Sequence, residues 1–381
     1  MMPKVGPSHE PGARVMGDTG PKRVESPLEA GERATTQRFV RDRERRMESR
    51  RSGGTEGIRG AHVLTRLSGA LPRVAIAPDS CQNAPRNRAL PAAFERYPVT
   101  STQSQIEVSY DVSNEFFRLW LDEKMHYTCA VFDKENDTLE KAQENKSRIL
   151  YELAEMSKDK TILDIGCGWG ANLEYISKRG AKAAHGVTLS PLQTEEIQAR
   201  KLPSVQVWCK DYNDFVPAEP YDALVSIEMV DHVVSPAQAA KGLAVDLYRE
   251  YFKKCADFAK PGAHFAFQSI LRNRVPRTRK DLEDLRFTAD IIFPGGLNAR
   301  IEELIMALNP HWELQELYMR REDYSKTTAE WLRRMKLHEA KIRQTWGDAL
   351  FDDYDRYLST CVRAFDNHWS GDVQMKLRRI G

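Results

Sequence analysis

Three glycines at alternate positions form the motif whose chemistry is easiest to interpret. They lie in the run Leu163-Asp164-Ile165-Gly166-Cys167-Gly168-Trp169-Gly170, after a predicted strand and before a predicted helix. Because glycine has no Cβ atom, the backbone can turn sharply here, and an adenosyl group or a methionine tail can lie against the main chain. The motif predicts a cofactor site, and the alternative is a tight strand-to-helix turn that binds no ligand.

The end of the second predicted strand lacks the acidic residue that a dinucleotide-binding protein usually places there for the ribose hydroxyls. The chain reads Gly186-Val187-Thr188-Leu189-Ser190-Pro191-Leu192-Gln193. Thr188 and Gln193 can hydrogen-bond to a ribose, but neither replaces the acid, which argues against an ordinary NAD enzyme. Ser190 and Gln193 also fit a helix capping box, so ribose contact and capping are both open for Gln193.

A third polar segment, Asp211-Tyr212-Asn213-Asp214-Phe215, follows the third predicted strand. The carboxylate of Asp211 can accept a hydrogen bond from the adenine amino group, and the ring of Tyr212 can cover the adenine face. These residues therefore extend the predicted cofactor site to a third strand end. A surface turn is the alternative.

The elements that must position these residues appear after residue 100, where short apolar runs alternate with longer amphipathic stretches. This alternation predicts βαβ units and a mostly parallel sheet. Seven strands are predicted, at Thr161–Ile165, Ala184–Leu189, Val205–Lys210, Ala223–Glu228, His264–Leu271, Trp312–Met319 and Val373–Arg378. The longer predicted helices cover Ala239–Ala259, Arg300–Leu308 and Thr328–His368, the last broken near Gly347.

Composition argues against several classes of protein. The chain has 381 residues, and its formal net charge of +2 gives no reason to expect a nucleic-acid partner. Six widely separated cysteines and the lack of a secretory leader indicate reduced thiols in the cytoplasm. No apolar run approaches the roughly 20 residues that a membrane-spanning helix needs, so contact with lipid would be peripheral.

The composition changes near residue 100. Residues 1–100 are rich in Arg, Pro and Gly with little apolar periodicity, which predicts a poorly ordered extension before a catalytic domain over 101–381. Between Thr36 and Arg51 arginines mix with acidic residues. This stretch is either a basic surface for anionic lipid or a solvated, charge-mixed tail.

Six segments follow one another in a distinctive order: Tyr110 to Leu121, Met125 to Ala130, Leu163 to Gly170, Gly186 to Gln193, Ser226 to Val233 and Ile292 to Gly296. Taken together they resemble the cyclopropane fatty acid and mycolic acid cyclopropane synthases. The resemblance covers roughly residues 106–380. It implies the α/β fold of a class I methyltransferase, a Rossmann-like, doubly wound, mostly parallel sheet of seven strands with helical cap insertions.

The resemblance also implies an activity. Enzymes of this family transfer the methyl group of S-adenosylmethionine to an unactivated alkene carbon, and the resulting carbocation then loses a proton, with a bound bicarbonate ion as the base. The methionine end would lie near Tyr127 and Thr128, the adenosyl backbone near Gly166 and Gly168, and the ribose near Thr188 and Gln193. The full predicted cofactor set is Tyr127, Thr128, Asp164, Gly166, Gly168, Thr188, Gln193, Asp211 and Tyr212.

Four residues match the family's bicarbonate site and are the predicted catalytic residues: Cys129 through its backbone, Asp231, Gln268 and Tyr324. Two of them depart from the usual pattern, since Asp231 stands where the family has Glu, and Gln268 stands where several members have His. Each has a structural alternative as well. Cys129 would pack as a small apolar side chain, Tyr324 would be a core tyrosine, and Asp231 would cap the following turn.

The substrate is the least determined feature of the sequence. The insert after the fifth strand, Arg272 to Asp290, is heavily charged, and its basic side chains could meet phospholipid headgroups or a smaller anionic substrate. We expect a lipid or other alkene-containing substrate, with peripheral contact to an anionic membrane and no metal. The alternative function is a small-molecule C- or N-methyltransferase of specialised metabolism, which the departures at Asp231 and Gln268 favour.

Overall fold

A computed structural model describes residues 113–293 and 295–381. In this part of the chain seven strands form one sheet, and all seven predicted strands are confirmed. They are β1 Thr161–Ile165, β2 Ala183–Thr188, β3 Val205–Cys209, β4 Tyr221–Ile227, β5 Ala259–Arg272, β6 Trp312–Met319 and β7 Ser370–Arg379. The predicted N-terminal extension and Tyr110 lie outside the described residues, so the domain boundary stays a prediction.

Eleven α-helices connect and cover the strands in the described ranges. They are α1 Asn114–Phe117, α2 Leu139–Leu153, α3 Ala171–Lys178, α4 Pro191–Ala199, α5 Pro236–Ala240, α6 Ala244–Phe258, α7 Arg279–Phe287, α8 Ile301–Leu308, α9 Arg321–Leu337, α10 Glu339–Trp346 and α11 Asp348–Asp366. A 3₁₀ turn covers Val230–His232 and a π-helical turn covers Thr288–Ile292. None of the described helices is long and apolar enough to cross a bilayer.

The strand order is β3-β2-β1-β4-β5-β7-β6. Strands β1 to β5 run parallel to one another, and β7 lies antiparallel between β5 and β6. Chain order reverses at β1, which pairs with both β2 and β4, and doubly wound sheets bind ligands in the crevice at the carboxyl ends of such strands. The topology confirms the predicted fold class and places the site at the ends of β1, β2 and β4.

Two predicted helices are divided in the structure. The stretch predicted as one helix over Ala239–Ala259 forms α5 and α6, because Gly242 adopts φ +77° between them. The stretch predicted over Thr328–His368 begins earlier and forms α9, α10 and α11. The predicted break at Gly347 is present, with φ +94°, and a second break lies at His338.

An aromatic cluster fixes the start of the described chain against the C-terminal helices. Phe116, Phe117 and Trp120 are fully buried. The ring of Phe116 packs edge-on against Tyr354 of α11, with 4.7 Å between ring centroids. The three side chains are core residues and do not line the cavity described below.

Candidate active site

One cavity of about 300 Å³ opens at the carboxyl ends of β1, β2 and β4. The predicted cofactor residues come from three strand ends and from the segment before α2. All nine line this cavity: Tyr127, Thr128, Asp164, Gly166, Gly168, Thr188, Gln193, Asp211 and Tyr212. The structure therefore brings together the whole predicted cofactor set.

Two glycines of the loop after β1 have different roles. Gly166 has φ +80°, and a Cβ atom there would lie 2.8 Å from Cγ of Met229. Gly168 has φ +52°, but no atom lies within 4 Å of the position that its Cβ would take. Gly166 thus permits close packing of the protein on itself, whereas Gly168 keeps space open at the cavity wall.

Asp164 provides the clearest sign that the cavity holds a ligand. Asn172 donates a hydrogen bond to its Oδ2 at 3.3 Å, whereas Oδ1 is buried without a partner among the described residues. Burial raises the pKa of Asp164 to about 7. A buried carboxylate oxygen without a donor is costly, and the ammonium group of a methionine tail would supply one. The predicted cofactor fits this requirement.

At the end of β2, one polar residue caps the next helix and two others line the cavity. The hydroxyl of Ser190 accepts a hydrogen bond from the Gln193 amide at 3.3 Å and so caps α4, which has Pro191 in its first turn. The Gln193 side chain does not complete a capping box. Instead, its Oε1 accepts a hydrogen bond from the Thr188 hydroxyl at 2.6 Å, which holds both side chains at the cavity wall.

The segment after β3 combines a turn with a cavity wall. Asp211 Oδ1 accepts hydrogen bonds from the Asn213 amide at 2.8 Å and from its side chain at 3.0 Å. The Tyr212 ring is buried edge-on against Tyr251, with 5.5 Å between centroids. The turn predicted as the alternative is present, and it carries both residues into the cavity wall.

Glu228, directly after β4, is the main functional residue that sequence reasoning missed. Its Oε1 accepts hydrogen bonds from the backbone amide of Cys129 and from Nε2 of Gln268, each at 2.8 Å. Its Oε2 accepts a hydrogen bond from the Tyr324 hydroxyl at 2.5 Å. Three of the four groups predicted to bind an external anion therefore meet on this carboxylate, and the carboxylate lines the cavity.

A chain of hydrogen bonds fixes the orientation of Gln268. Arg320 Nε donates to Gln374 Oε1 at 2.9 Å, and Gln374 Nε2 donates to Gln268 Oε1 at 2.8 Å. Since a guanidinium only donates, both amides must point the same way, and Gln268 must present its Nε2 to Glu228. Glu228 is thus the acceptor at the end of a directional relay.

Asp231 lies apart from these donors. It belongs to the 3₁₀ turn, its Oδ1 accepts a hydrogen bond from the Ser269 hydroxyl at 3.1 Å, and its Oδ2 is buried without a partner among the described residues. The following helix α5 is capped by Ser235 rather than by Asp231. Burial, and then the negative charge of Glu228, raise the pKa of Asp231 well above its usual range. Asp231 lines the cavity as a group that favours its neutral form.

The charges around Glu228 have opposing effects. Burial raises the pKa of Glu228 above its ordinary value, although the hydrogen bonds from Tyr324, Cys129 and Gln268 and the positive charge of Lys146 act in the opposite direction. Lys146, from α2, is fully buried, lines the cavity and donates to the Thr128 hydroxyl at 2.6 Å. Burial raises the pKa of the Cys129 thiol, so this side chain stays neutral and only its backbone contributes.

The sequence model of the mycolic acid cyclopropane synthetases matches residues 98–375. An S-adenosylmethionine-dependent methyltransferase, UmaA, from Mycobacterium tuberculosis is 28% identical over 284 residues, 71% of this chain and 95% of that protein. Cyclopropane mycolic acid synthase 2 from Mycobacterium bovis is 27% identical over 302 residues, 74% of this chain and 94% of that protein.

A solved structure supports the same relationship. The cyclopropane synthase MmaA2 from Mycobacterium tuberculosis superposes with a TM-score of 0.67 at 26% identity, covering 74% of this chain and all of that one. Its agreement with the sequence matches means that fold, motif order and site geometry point to one family. The chain belongs to the mycolic acid cyclopropane synthetase family and is an S-adenosylmethionine-dependent methyltransferase.

Proposed function

We propose that this enzyme methylates an alkene carbon in the acyl chain of a lipid. Bound S-adenosylmethionine supplies a methyl group on a positively charged sulfur, activated for transfer to a carbon nucleophile. The observation that carries the proposal is that the cavity holding all nine cofactor residues continues to an apolar wall. That wall is formed by Ile270, Leu285, Phe293, Ala364 and Phe365.

The apolar wall suits both the substrate and the intermediate. An alkene offers no hydrogen-bonding group, so it must be held by burial of the surrounding hydrocarbon. The carbocation formed by methyl transfer would react with water, and an apolar wall packed against the acyl chain would disfavour this side reaction. The rings of Tyr324 and Phe293 line the same space and would stabilise positive charge.

The family match and the named relatives favour alkene methylation over the small-molecule alternative. The departures at Asp231 and Gln268 had favoured the alternative. Gln268 donates to Glu228, and Asp231 lies beside the same cavity, so both residues have places in a site with a buried carboxylate.

The insert after β5 supports peripheral binding to an anionic membrane. Val275 and Leu282 on this insert and Ile291 directly after it are exposed apolar side chains, with exposed fractions of 71%, 44% and 51%. Arg274 and Arg277 of the same insert are exposed as well, and neither forms an ion pair with a described residue. Apolar side chains among free arginines are the combination that binds the surface of an anionic bilayer. The cytoplasmic location stays a prediction.

Some charged side chains of the insert pair with residues of the same domain and are therefore not available to bind a membrane. Asp284 of α7 accepts hydrogen bonds from Lys280 at 2.7 Å, from Arg356 at 2.8 Å and from Arg363 at 2.7 Å. The last two belong to α11, so this cluster fastens the insert to the domain. The charge density noted in the sequence is thus divided between an internal clamp and an exposed surface.

Mass spectrometry tests the proposed function. Purified enzyme would be incubated with S-adenosylmethionine carrying a labelled methyl group and with vesicles of monounsaturated phospholipid. We expect acyl chains that have gained one labelled methylene unit, and fully saturated vesicles serve as the control. Label found only in added amines or other small molecules would contradict the proposal and support the alternative.

A further inference from the structure

We propose that the carboxylate of Glu228 is the base that takes up the proton released after methyl transfer, so that turnover needs no bicarbonate. The inference rests on the proposed function, because it concerns the fate of the carbocation formed in that reaction. Bicarbonate itself stays a prediction from the resemblance. The donors expected to bind it are engaged by a side chain of the protein.

The first argument is the convergence of donors. Three groups from separate parts of the fold, the Cys129 amide before α2, Gln268 on β5 and Tyr324 on α9, all donate to Glu228 within 2.8 Å. Such an arrangement binds one planar, negatively charged group with two oxygens. Glu228 supplies that group from within the chain and presents it to the cavity.

The second argument is the backbone at Glu228. Its φ is +53°, in the left-handed region that costs a residue with a Cβ atom roughly 1 kcal/mol. A glycine would adopt this conformation without that cost. A glutamate kept in it is held by its side-chain contacts, and unusual backbone conformations of this kind concentrate at functional sites.

The third argument is the direction of the hydrogen bonds around Glu228. The relay from Arg320 through Gln374 and Gln268 ends in a donated N–H, and Tyr324 donates from the other side. All the side-chain groups that hold Glu228 therefore favour its ionised form. The ammonium group of Lys146 acts in the same direction, although burial lowers the pKa of Lys146 itself. Burial outweighs these contributions and leaves the pKa of Glu228 above its ordinary value, and a carboxylate whose pKa lies closer to neutrality is the stronger base.

The chemical step balances without any further reactant. The alkene electron pair forms the new C–C bond to the methyl group, and a positive charge remains on the neighbouring carbon. A C–H bond of the added methyl group then breaks, its proton goes to Glu228, and its electron pair closes a three-membered ring. Loss of a proton from an adjacent chain carbon would instead leave a methyl branch and a double bond. Either way the proton leaves as Glu228 exchanges it with solvent.

The test uses two variants of the whole chain, one that fills the space of the Glu228 side chain and one that leaves it empty. Glu228→Gln keeps the volume but cannot take up a proton. Glu228→Gly vacates the space among the three donors and suits φ +53°. Glu140→Gln is the matched control, because Glu140 pairs with Arg334 at 2.7 Å and does not line the cavity. Lipid methylation would be measured in buffer stripped of carbon dioxide and again with added bicarbonate. Binding of S-adenosylhomocysteine reports on folding.

We expect wild-type turnover to change less than twofold on removal of bicarbonate, and Glu228→Gln to lose about 100-fold or more, the usual contribution of a general base. Added bicarbonate should restore turnover at least tenfold in Glu228→Gly and not in Glu228→Gln. A wild type that stops without bicarbonate, or a Glu228→Gln enzyme within tenfold of wild type, would overturn the inference and leave the proposed function standing. A wild type that methylates no lipid would refute the proposed function, and the inference with it.

Discussion

The hydroxyl of Tyr324 on α9 lies 2.5 Å from Oε2 of Glu228, at the end of β4. The Tyr324 ring is itself fixed, since it stacks on Phe365 of α11 with 4.4 Å between centroids. This contact connects the C-terminal helices to the carboxylate at the carboxyl edge of the sheet. Through this contact the C-terminal helices α9 and α11 directly influence the charge of the Glu228 carboxylate.

Tyr324→Phe should therefore lower turnover at neutral pH by roughly 10- to 100-fold, since a hydrogen bond to a charged group contributes about 1.5–3 kcal/mol. Losing this donor should raise the pKa of Glu228 further, so activity should recover as the pH rises. The check is a pH profile of kcat alongside cofactor affinity, which should stay unchanged. A uniform loss at every pH would contradict this. The other titratable groups around Glu228 are Cys129, Lys146, Asp231 and Asp372.

Asp231→Asn separates the role of Asp231 from that of Glu228. The raised pKa of Asp231 favours the neutral acid, which an amide resembles in shape, and the amide oxygen can still accept from Ser269. We expect turnover within about tenfold of wild type, against 100-fold or more for Glu228→Gln. Equal losses in the two variants, measured by lipid methylation, would mean that Asp231 acts as an ionised group.

Binding of S-adenosylmethionine should depend on pH through Asp164. Its pKa of about 7 means that the carboxyl is protonated below neutrality, where it no longer attracts an ammonium group. Affinity should fall as the pH is lowered from 8 to 6, and binding should release protons at pH 6, because the ammonium stabilises the carboxylate. Calorimetry in buffers of different ionisation enthalpy measures both effects. Asp164→Asn should bind weakly at every pH; a persisting pH dependence would assign it to another group.

Gly168→Asp should abolish cofactor binding by placing a charged side chain in the open space beside the loop. Gly242→Asp is a matched control, because Gly242 also has a positive φ and open space, but it is exposed and does not line the cavity. Both variants should lose roughly 1 kcal/mol of stability from backbone strain. Only the first should lose affinity in a calorimetric titration. Wild-type affinity in Gly168→Asp would move the site elsewhere.

The proposed membrane surface is tested by replacing Leu282 and Ile291 together with aspartate. Burying side chains of this size contributes about 1.5–3 kcal/mol each, so binding to anionic phospholipid vesicles should weaken at least tenfold in a sedimentation assay. Leu337→Asp is the control, since Leu337 is 70% exposed at the end of α9. Equal weakening in the control would show that the added negative charge, rather than the position, matters.

The strands and the cofactor loop could be predicted from sequence because their signals are local. Thr161–Ile165 is a short apolar run, and the glycines that follow it show where the chain turns. The ends of the helices are harder to predict from sequence. The break at Gly242 depends on a left-handed backbone that one glycine in an amphipathic stretch does not guarantee.

Glu228 could not be assigned from sequence for a different reason. The sequence already shows an acidic residue at the carboxyl end of a predicted strand, which is where binding and catalytic residues of such sheets lie. Its role, however, depends on donors 99, 40 and 96 residues away and on a left-handed turn that directs the side chain among them. The resemblance drew attention to Asp231 instead, three residues along the same run. Only the folded arrangement shows which carboxylate the donors share.

The internal position of β7 affects the order in which the protein can assemble. Strands β5 and β6 leave the ribosome before β7, yet they are joined only through it, so an open strand edge persists on β5 until β7 has been synthesised. Gln374, the middle member of the relay to Glu228, arrives with β7, opposite Gln268. A nascent chain can therefore form the cofactor loop long before it can hold Glu228 in place, and catalytic competence must wait for the synthesis of β7.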